Sequence, residues 1–456
     1  MYMDSKRSVS EGLKTIFISS FFGLISRNIL STDALKILKA EDKLRIVVLV
    51  PPAKKDLYQK IYGGSNIFFE SIDSKKKKLI EIYLTSIFLN SSDTSSREIH
   101  RIIERKEHGK YCITMFYWIL SMLSHLKPFR SLLRHFYSIF WMPNSEISRC
   151  FDLYSPNAIF STDIFESNDI DLVLEAKKRN VPNIGMIRSW DNITTKGLNM
   201  ILPDKLIVNT PKIKEEAIKY CDFNPSDVFI VGIPHYDAYV AEQRESRGKL
   251  FGELNLDPNK KTVFFAPPSD MYIQGDSVAY KIIKTLLSED FQLIIRLYIV
   301  GMVDLGDIVP VENKIAIDDP GSGINFSNAD LTGKDSHLAD LLYHSDVVIA
   351  FASTLAIDTI VFNKPVIFIG FNGEENRPYW KSLRRFYDYD HQRSILELGG
   401  IRLARSSEEL IKYTKDYLDN PKLDEEGRKR IISERCWKLD GKSGERLADI
   451  LLEFIK

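Results

Sequence analysis

Cysteine is scarce and scattered in this chain. Cys112, Cys150, Cys221 and Cys436 stand far apart, and none forms a C-x-x-C pair. Neither a zinc site nor a disulfide framework is encoded, and a reducing cytoplasm is the expected home. Long apolar runs are missing as well. YCITMFYWILSML (111–123) is the most apolar stretch of the early sequence, and a bilayer needs about 20 such residues. The first residues, MYMDSKRSVSEGLK, are charged and have no apolar core of the signal-peptide kind. Phosphate-binding and metal-binding signatures are also absent. GKSGE (441–445) contains the G-K-S of a P-loop, but the required upstream glycine position is Cys436. GSGINF (321–326) is not G-x-G-x-x-G, and no H-E-x-x-H occurs. These absences exclude P-loop and dehydrogenase chemistry and leave no metal to expect.

What is present is length and alternation. A chain of 456 residues exceeds what one core supports, so two domains are expected. Net charge is zero but uneven, with +10 over residues 1–150 and −10 over the remainder. The basic first third suggests an anionic partner, either a phosphate-bearing substrate or a membrane surface; solvated lysines such as 75–78 explain it equally well.

Strand signals at 14–23, 45–52, 157–163, 182–189, 205–210 and 227–234 alternate with helical patterns. A charged segment (238–260) follows, and the pattern restarts at 261–268, 291–300, 314–318, 346–353 and 365–371. Short apolar strands between helices read as parallel sheets covered on both faces. The expected fold class is therefore α/β, with two doubly wound Rossmann-like domains facing across a cleft. The division falls at 1–238 and 239–456, with the docking of the terminal helix GKSGERLADILLEFIK left open.

The stretch DVVIAFASTLAIDTIVFNKPVIFIGF (346–371) puts Ser353 and Thr354 where a buried strand hands over to a helix. Asp358 lies one turn on, on the same helix face as Thr354. A hydroxyl pair and N–H groups can hold an anion there, with the carboxylate placed for ribose hydroxyls. The plainer alternative is a helix cap.

HLADLLYHSDVVIAFASTLAIDTIVFNKPVIFI resembles the donor half of GT-B glycosyltransferases, in the group of CDP-glycerol glycerophosphotransferases and UDP-N-acetylglucosamine 2-epimerase. VGIPHYDAY (231–239), FFAPPSD (264–270) and LDGKSGERLADIL (439–451) fit the same pattern, as do the loops FSTDIFESND and GMIRSWDNITTKG. The resemblance implies that Ser353 and Thr354 hold a donor diphosphate and Asp358 the ribose. It implies that Gly232 lets the backbone approach the nucleotide, that His337 sits near the base, and that Arg296 offsets leaving-group charge without a metal. Glu374 and Glu375 are expected at donor sugar hydroxyls, with a solvated loop pair as the alternative. An inverting transferase also needs a base; Asp163, Asp191 and His235 are the candidates, each open to a structural role instead.

Two departures count. Tyr298 stands where the glycerophosphotransferases carry histidine, and PPSDM (267–271) replaces the basic segment of the epimerase. Sugar transfer from a nucleotide-sugar to an acceptor hydroxyl, in surface polysaccharide, capsule, lipopolysaccharide or glycolipid assembly, is therefore the expected activity, with no cofactor. An epimerase or hydrolase, a polyol-phosphate transferase and a catalytically silent carbohydrate-binding protein are the alternatives. The segment 111–142 interleaves Phe116, Trp118, Phe129, Phe136, Phe140 and Trp141 with Lys127, Arg130 and Arg134. It reads either as a peripheral membrane surface suited to a lipid-linked acceptor or as two core helices.

Overall fold

Lys14–Ser19 (β1) is a strand of apolar residues buried on both faces, so partners on each edge and helices above and below must cover it. The computed structural model describes residues 12–22, 26–241, 243–269, 272, 278–298, 301–321, 334–372 and 377–456. β1 pairs in parallel with β2 (Leu44–Val50) on one side and β4 (Ala158–Ser161) on the other. With β3 (Ile67–Ser71), β5 (Asn183–Met186), β6 (Lys205–Val208) and β7 (Val228–Ile230) they form a seven-stranded sheet ordered 3-2-1-4-5-6-7. A second parallel sheet contains β8 (Thr262–Ala266), β9 (Gln292–Arg296), β10 (Ile315–Asp318), β11 (Val347–Ala350), β12 (Val366–Ile369) and β13 (Ile401–Ala404), ordered 10-9-8-11-12-13. Each sheet reverses its winding direction once, between β1 and β4 and between β8 and β11. Ligands of open parallel sheets bind at such points, beyond the carboxyl ends of the strands.

The sequence signals missed β3 and β13, both edge strands. β3 buries only alternate residues and ends in Glu70-Ser71, so it lacks the continuous apolar run that marks interior strands.

Among the helices around these sheets are α1 (Asp33–Lys39), α2 (Leu79–Asn90), α3 (Ser95–His108), α4 (Tyr111–Leu123), α5 (Lys127–Phe140), α6 (Asn192–Thr195), α7 (Leu355–Ile360), α8 (Asp390–Glu397) and α9 (Ser443–Ile455). The terminal helix α9 returns to the first lobe. Leu447, Ala448, Leu451 and Ile455 join the core built on Ile16, Ile18 and Leu35, and Lys14 donates to the carbonyl of Ile455 at 2.8 Å.

Helices α2, α4 and α5 invert the usual polarity. α4 turns Thr114 and Ser121 inward and leaves Met115, Phe116, Trp118, Ile119 and Met122 exposed. α2 buries Glu81, paired with Lys75 at 3.0 Å, while Leu79, Ile82 and Tyr83 face out. In α5, Leu132, Phe136, Ile139 and Phe140 are exposed. Arg130 and Arg134 are not on that surface: both turn inward to Asp222, and Trp141 is drawn in by donating to Asp171 at 2.6 Å. The sequence pattern had grouped these three with the exposed face because it could not see Asp222 and Asp171 beneath them. Among the described residues no helix is long and apolar enough to cross a membrane.

Candidate active site

β11 is fully buried beside the reversal of the second sheet. It delivers Ser353 and Thr354 into the space between the lobes. Ser353 Oγ accepts the N–H of Leu355 at 3.2 Å, a local turn contact. Thr354 makes no side-chain capping bond and is exposed, so its hydroxyl is available to a ligand. Asp358, on α7, is buried and accepts the phenolic O–H of Tyr236 at 2.7 Å. Nε2 of His235 lies 3.8 Å from the same carboxylate oxygen. Tyr236 and His235 come from the crossing between the lobes. Burial and the neighbouring Asp358 hold the Tyr236 phenol well above its ordinary range, so it stays a donor.

Two cavities flank this point and share Trp190 and Thr354. One, of about 100 Å³, is lined by Arg188, Asn209, His235, Tyr236, Asp358 and Arg435. The other, of about 190 Å³, lies at the carboxyl ends of β8, β9 and β11 and is walled by Tyr272, Tyr298, Phe351, Asp191, His391 and Gln392. Buried polar atoms without a hydrogen-bond partner cluster along both: Ser269 Oγ, His391 Nδ1 and Gln392 Oε1 in the second, Asn209 Oδ1 and Arg435 Nε in the first. Such groups are costly unless something pairs with them, and their convergence on one cleft fits a polar ligand.

His391 packs edge-on against Trp190, with ring centroids 4.9 Å apart. Burial pulls its imidazole below the usual range, opposed by the charges of Asp191 and Asp390. It is therefore neutral near pH 7 and able to accept a proton. Asp191 lines the same cavity; its carboxylate takes a hydrogen bond from Ser189, and Thr195 Oγ1 donates to its carbonyl at 2.8 Å.

The remaining expected residues are placed as follows. Asp163 is buried outside both cavities, between Arg188 at 3.0 Å and Lys196 at 3.4 Å. Its partner Arg188 lines the smaller cavity, so among the described residues Asp163 is linked to the cleft through that guanidinium. Gly232 adopts φ +91°, and a Cβ there would meet Ser443 Oγ at 2.5 Å, so its close approach is to the start of α9. Arg296 and His337 both converge on Asp318, Arg296 as an ion pair and His337 at 3.2 Å. That carboxylate neutralises the cation expected at the leaving group. Its hydrogen bond holds the His337 imidazole above the usual range despite partial burial. Glu374 and Glu375, with Asp270 and Met271 of PPSDM, lie outside the described residues. Sequence reasoning missed Tyr236, Ser269, His391, Gln392, Asp318 and Arg435. The His-Gln pair after the aromatic run FYDYD (386–390) was the one legible signal among them.

Residues 311–453 match the model of the CDP-Glycerol:Poly(glycerophosphate) glycerophosphotransferase family. No curated protein matches the sequence. Among solved structures, a putative UDP-N-acetylglucosamine 2-epimerase from Listeria monocytogenes aligns over 97% of this chain and 96% of its own, at 11% identity and TM-score 0.55. The UDP-GlcNAc 2-epimerase from Neisseria meningitidis, bound to UDP-GlcNAc, aligns over 97% and 99%, at 12% identity and TM-score 0.56. The glycotransferase of kitacinnamycin aligns over 97% and 98%, at 10% identity and TM-score 0.52. At such identities the likeness is one of architecture, and the fold is the two-lobed GT-B arrangement shared by glycosyltransferases and these epimerases.

Proposed function

We propose that this protein is a transferase that binds a nucleotide-activated donor in the interlobe cleft and passes a sugar to an acceptor hydroxyl. The observation that carries the reading is the cleft itself. Thr354 presents an uncommitted hydroxyl between two cavities whose buried polar atoms lack partners. The donor diphosphate lies at Ser353 and Thr354. Asp191 or neutral His391, one from each lobe, takes the acceptor proton. The match over residues 311–453 favours a second reading, polyol-phosphate transfer. Tyr298 weighs against it, since burial raises its phenol far above the ordinary range and it cannot act as a base.

The two reactions break different bonds. Sugar transfer cleaves the anomeric C–O bond and releases a nucleoside diphosphate. Polyol-phosphate transfer attacks the distal phosphorus and releases a monophosphate. Incubation with UDP-N-acetylglucosamine or CDP-glycerol plus membrane extract, followed by chromatography of the nucleotide product, separates them. Conversion of UDP-N-acetylglucosamine without acceptor would indicate an epimerase instead. No nucleotide product from any donor would overturn both transfer readings.

The acceptor is met at an anionic membrane surface, through α2, α4 and α5. Their inverted polarity supports a lipid surface, because they bury hydroxyls and a carboxylate while exposing Trp, Phe, Ile and Met. Residues 109–142 contain no Asp or Glu, and Lys76, Lys78, Lys110 and Lys127 are exposed around them. A second copy of the chain would set these lysines against one another, whereas anionic headgroups complement them. Gly197, at φ +80°, lies against the backbone of Phe88 and Leu89 of α2, which connects this face to the loop carrying Asp191.

A further inference from the structure

The first turn of α3 bonds to the segments that carry Asp191 on one wall of the larger cavity and His391 and Gln392 on the other. On the first-lobe side, Thr94 Oγ1 donates to the carbonyl of Thr194 at 2.8 Å, and Arg97 donates to that of Thr195 at 3.3 Å. These carbonyls end α6, the short helix that follows Asp191. On the second-lobe side the contact is reciprocal. The N–H and Oγ of Ser96 donate to Asp390 Oδ2 at 2.8 and 3.0 Å, and the N–H of Asp390 donates to Ser96 Oγ at 3.1 Å. Each helix thereby satisfies N–H groups that its own first turn leaves open. The pairing resembles a capping box drawn between two helices of different lobes. His100 of α3 adds a ring contact to Tyr389, with centroids 6.1 Å apart.

Asp390 immediately precedes His391 and Gln392. Gln392 is 2% exposed, yet its Oε1 has no hydrogen-bond partner, and neither does His391 Nδ1. Both side chains line the cavity opposite Asp191. A rotation of α8 by a fraction of a turn would carry them out of register with Asp191. Ile395 in the core and the bond from Arg435 to Ser394 Oγ at 2.7 Å anchor the body of α8, and the Ser96 clasp fixes its first turn.

We infer that Ser96 and Asp390 are positioning residues, an interlobe clasp that holds His391 and Gln392 in register with Asp191 across the donor cavity. The catalytic consequence rests on the transferase reading; the clasp itself does not. Because Ser353 and Thr354 lie in the turn between β11 and α7, outside the clasp, loss of the clasp separates turnover from nucleotide binding.

The test uses the full chain with Ser96→Ala, Asp390→Ala, Asp390→Asn and the double alanine variant. Hydrogen–deuterium exchange is followed at 191–195 and 390–393, UDP and CDP affinity by calorimetry, and turnover by nucleotide release. In Asp390→Ala, exchange rises in both segments, kcat falls about tenfold or more, and nucleotide Kd stays within about threefold. Asp390→Asn, which keeps an acceptor oxygen, restores most of the turnover. The double variant is no worse than Asp390→Ala, as expected of two groups acting as one unit. Unchanged exchange in either segment overturns the inference, as does a parallel loss of kcat and nucleotide affinity. If the wild type turns over no donor, the transferase reading fails and the exchange data alone decide the clasp.

Discussion

Replacing Phe116, Trp118 and Ile119 together by serine tests the membrane-facing assignment most directly. These side chains are 45%, 44% and 45% exposed, and a buried aromatic covers about 150–250 Å². Each therefore presents on the order of 80–100 Å² of apolar surface to whatever lies outside. At about 25 cal/mol per Å², full transfer into lipid is worth about 2 kcal/mol per residue. A helix lying in the headgroup region buries only part of that face, so about 3 kcal/mol for the three is a working figure, or about a hundredfold in partitioning. The assay is flotation with vesicles of phosphatidylcholine, with and without about 30% phosphatidylglycerol. The wild type floats with the anionic vesicles, and the triple variant stays at the bottom with an unchanged melting temperature. Co-flotation of the triple variant at the wild-type level, or a wild type that never floats, refutes the reasoning.

Other outcomes follow from single groups. Thr354→Val keeps the side-chain shape and removes a hydroxyl that makes no cap; UDP or CDP binding should weaken about tenfold in calorimetry with no change in stability. Tyr236→Phe removes the phenolic hydrogen bond to buried Asp358 and should cost about 1–3 kcal/mol in urea unfolding. Burial pushes the Asp169 carboxyl up to about 7, against hydrogen bonds from Ser19 and Ser161. The folded state thus holds a proton that the unfolded chain releases near its ordinary value of 3.8. Asp169 should accordingly stabilise the fold at low pH and lose that contribution as pH rises towards 7. Thermal melts of Asp169→Asn should lie higher relative to wild type at pH 8 than at pH 5; parallel curves would show that Asp169 does not titrate there.

The interior strands and their order of appearance were readable because each carries a continuous apolar run, as in TVFFA and VVIA, and burial on two faces requires one. β3 and β13 were not, since Glu70 and Ser71 end the one and Arg402 interrupts the other, leaving no continuous apolar run. Ser353, Thr354 and Asp358 were readable as a group because a strand, a turn and one helical turn fix their spacing locally. His391 and Gln392 were not, because they lie more than 30 residues further on and reach Thr354 only through the packing of α8.

By itself, then, the sequence determined two parallel sheets, the junction that ends β11, and the absence of P-loop or metal-site signatures. These depend on contacts a few residues apart or on composition. The tertiary structure decided which carboxylates reach the cleft. Asp163 is consumed by Arg188 and Lys196, and Arg296 by Asp318, because distant segments bring an opposite charge within bonding range. It likewise decided that α2, α4 and α5 face outward with their apolar residues. An amphipathic helix records that it has two faces, but the neighbours it packs against determine which one meets the core.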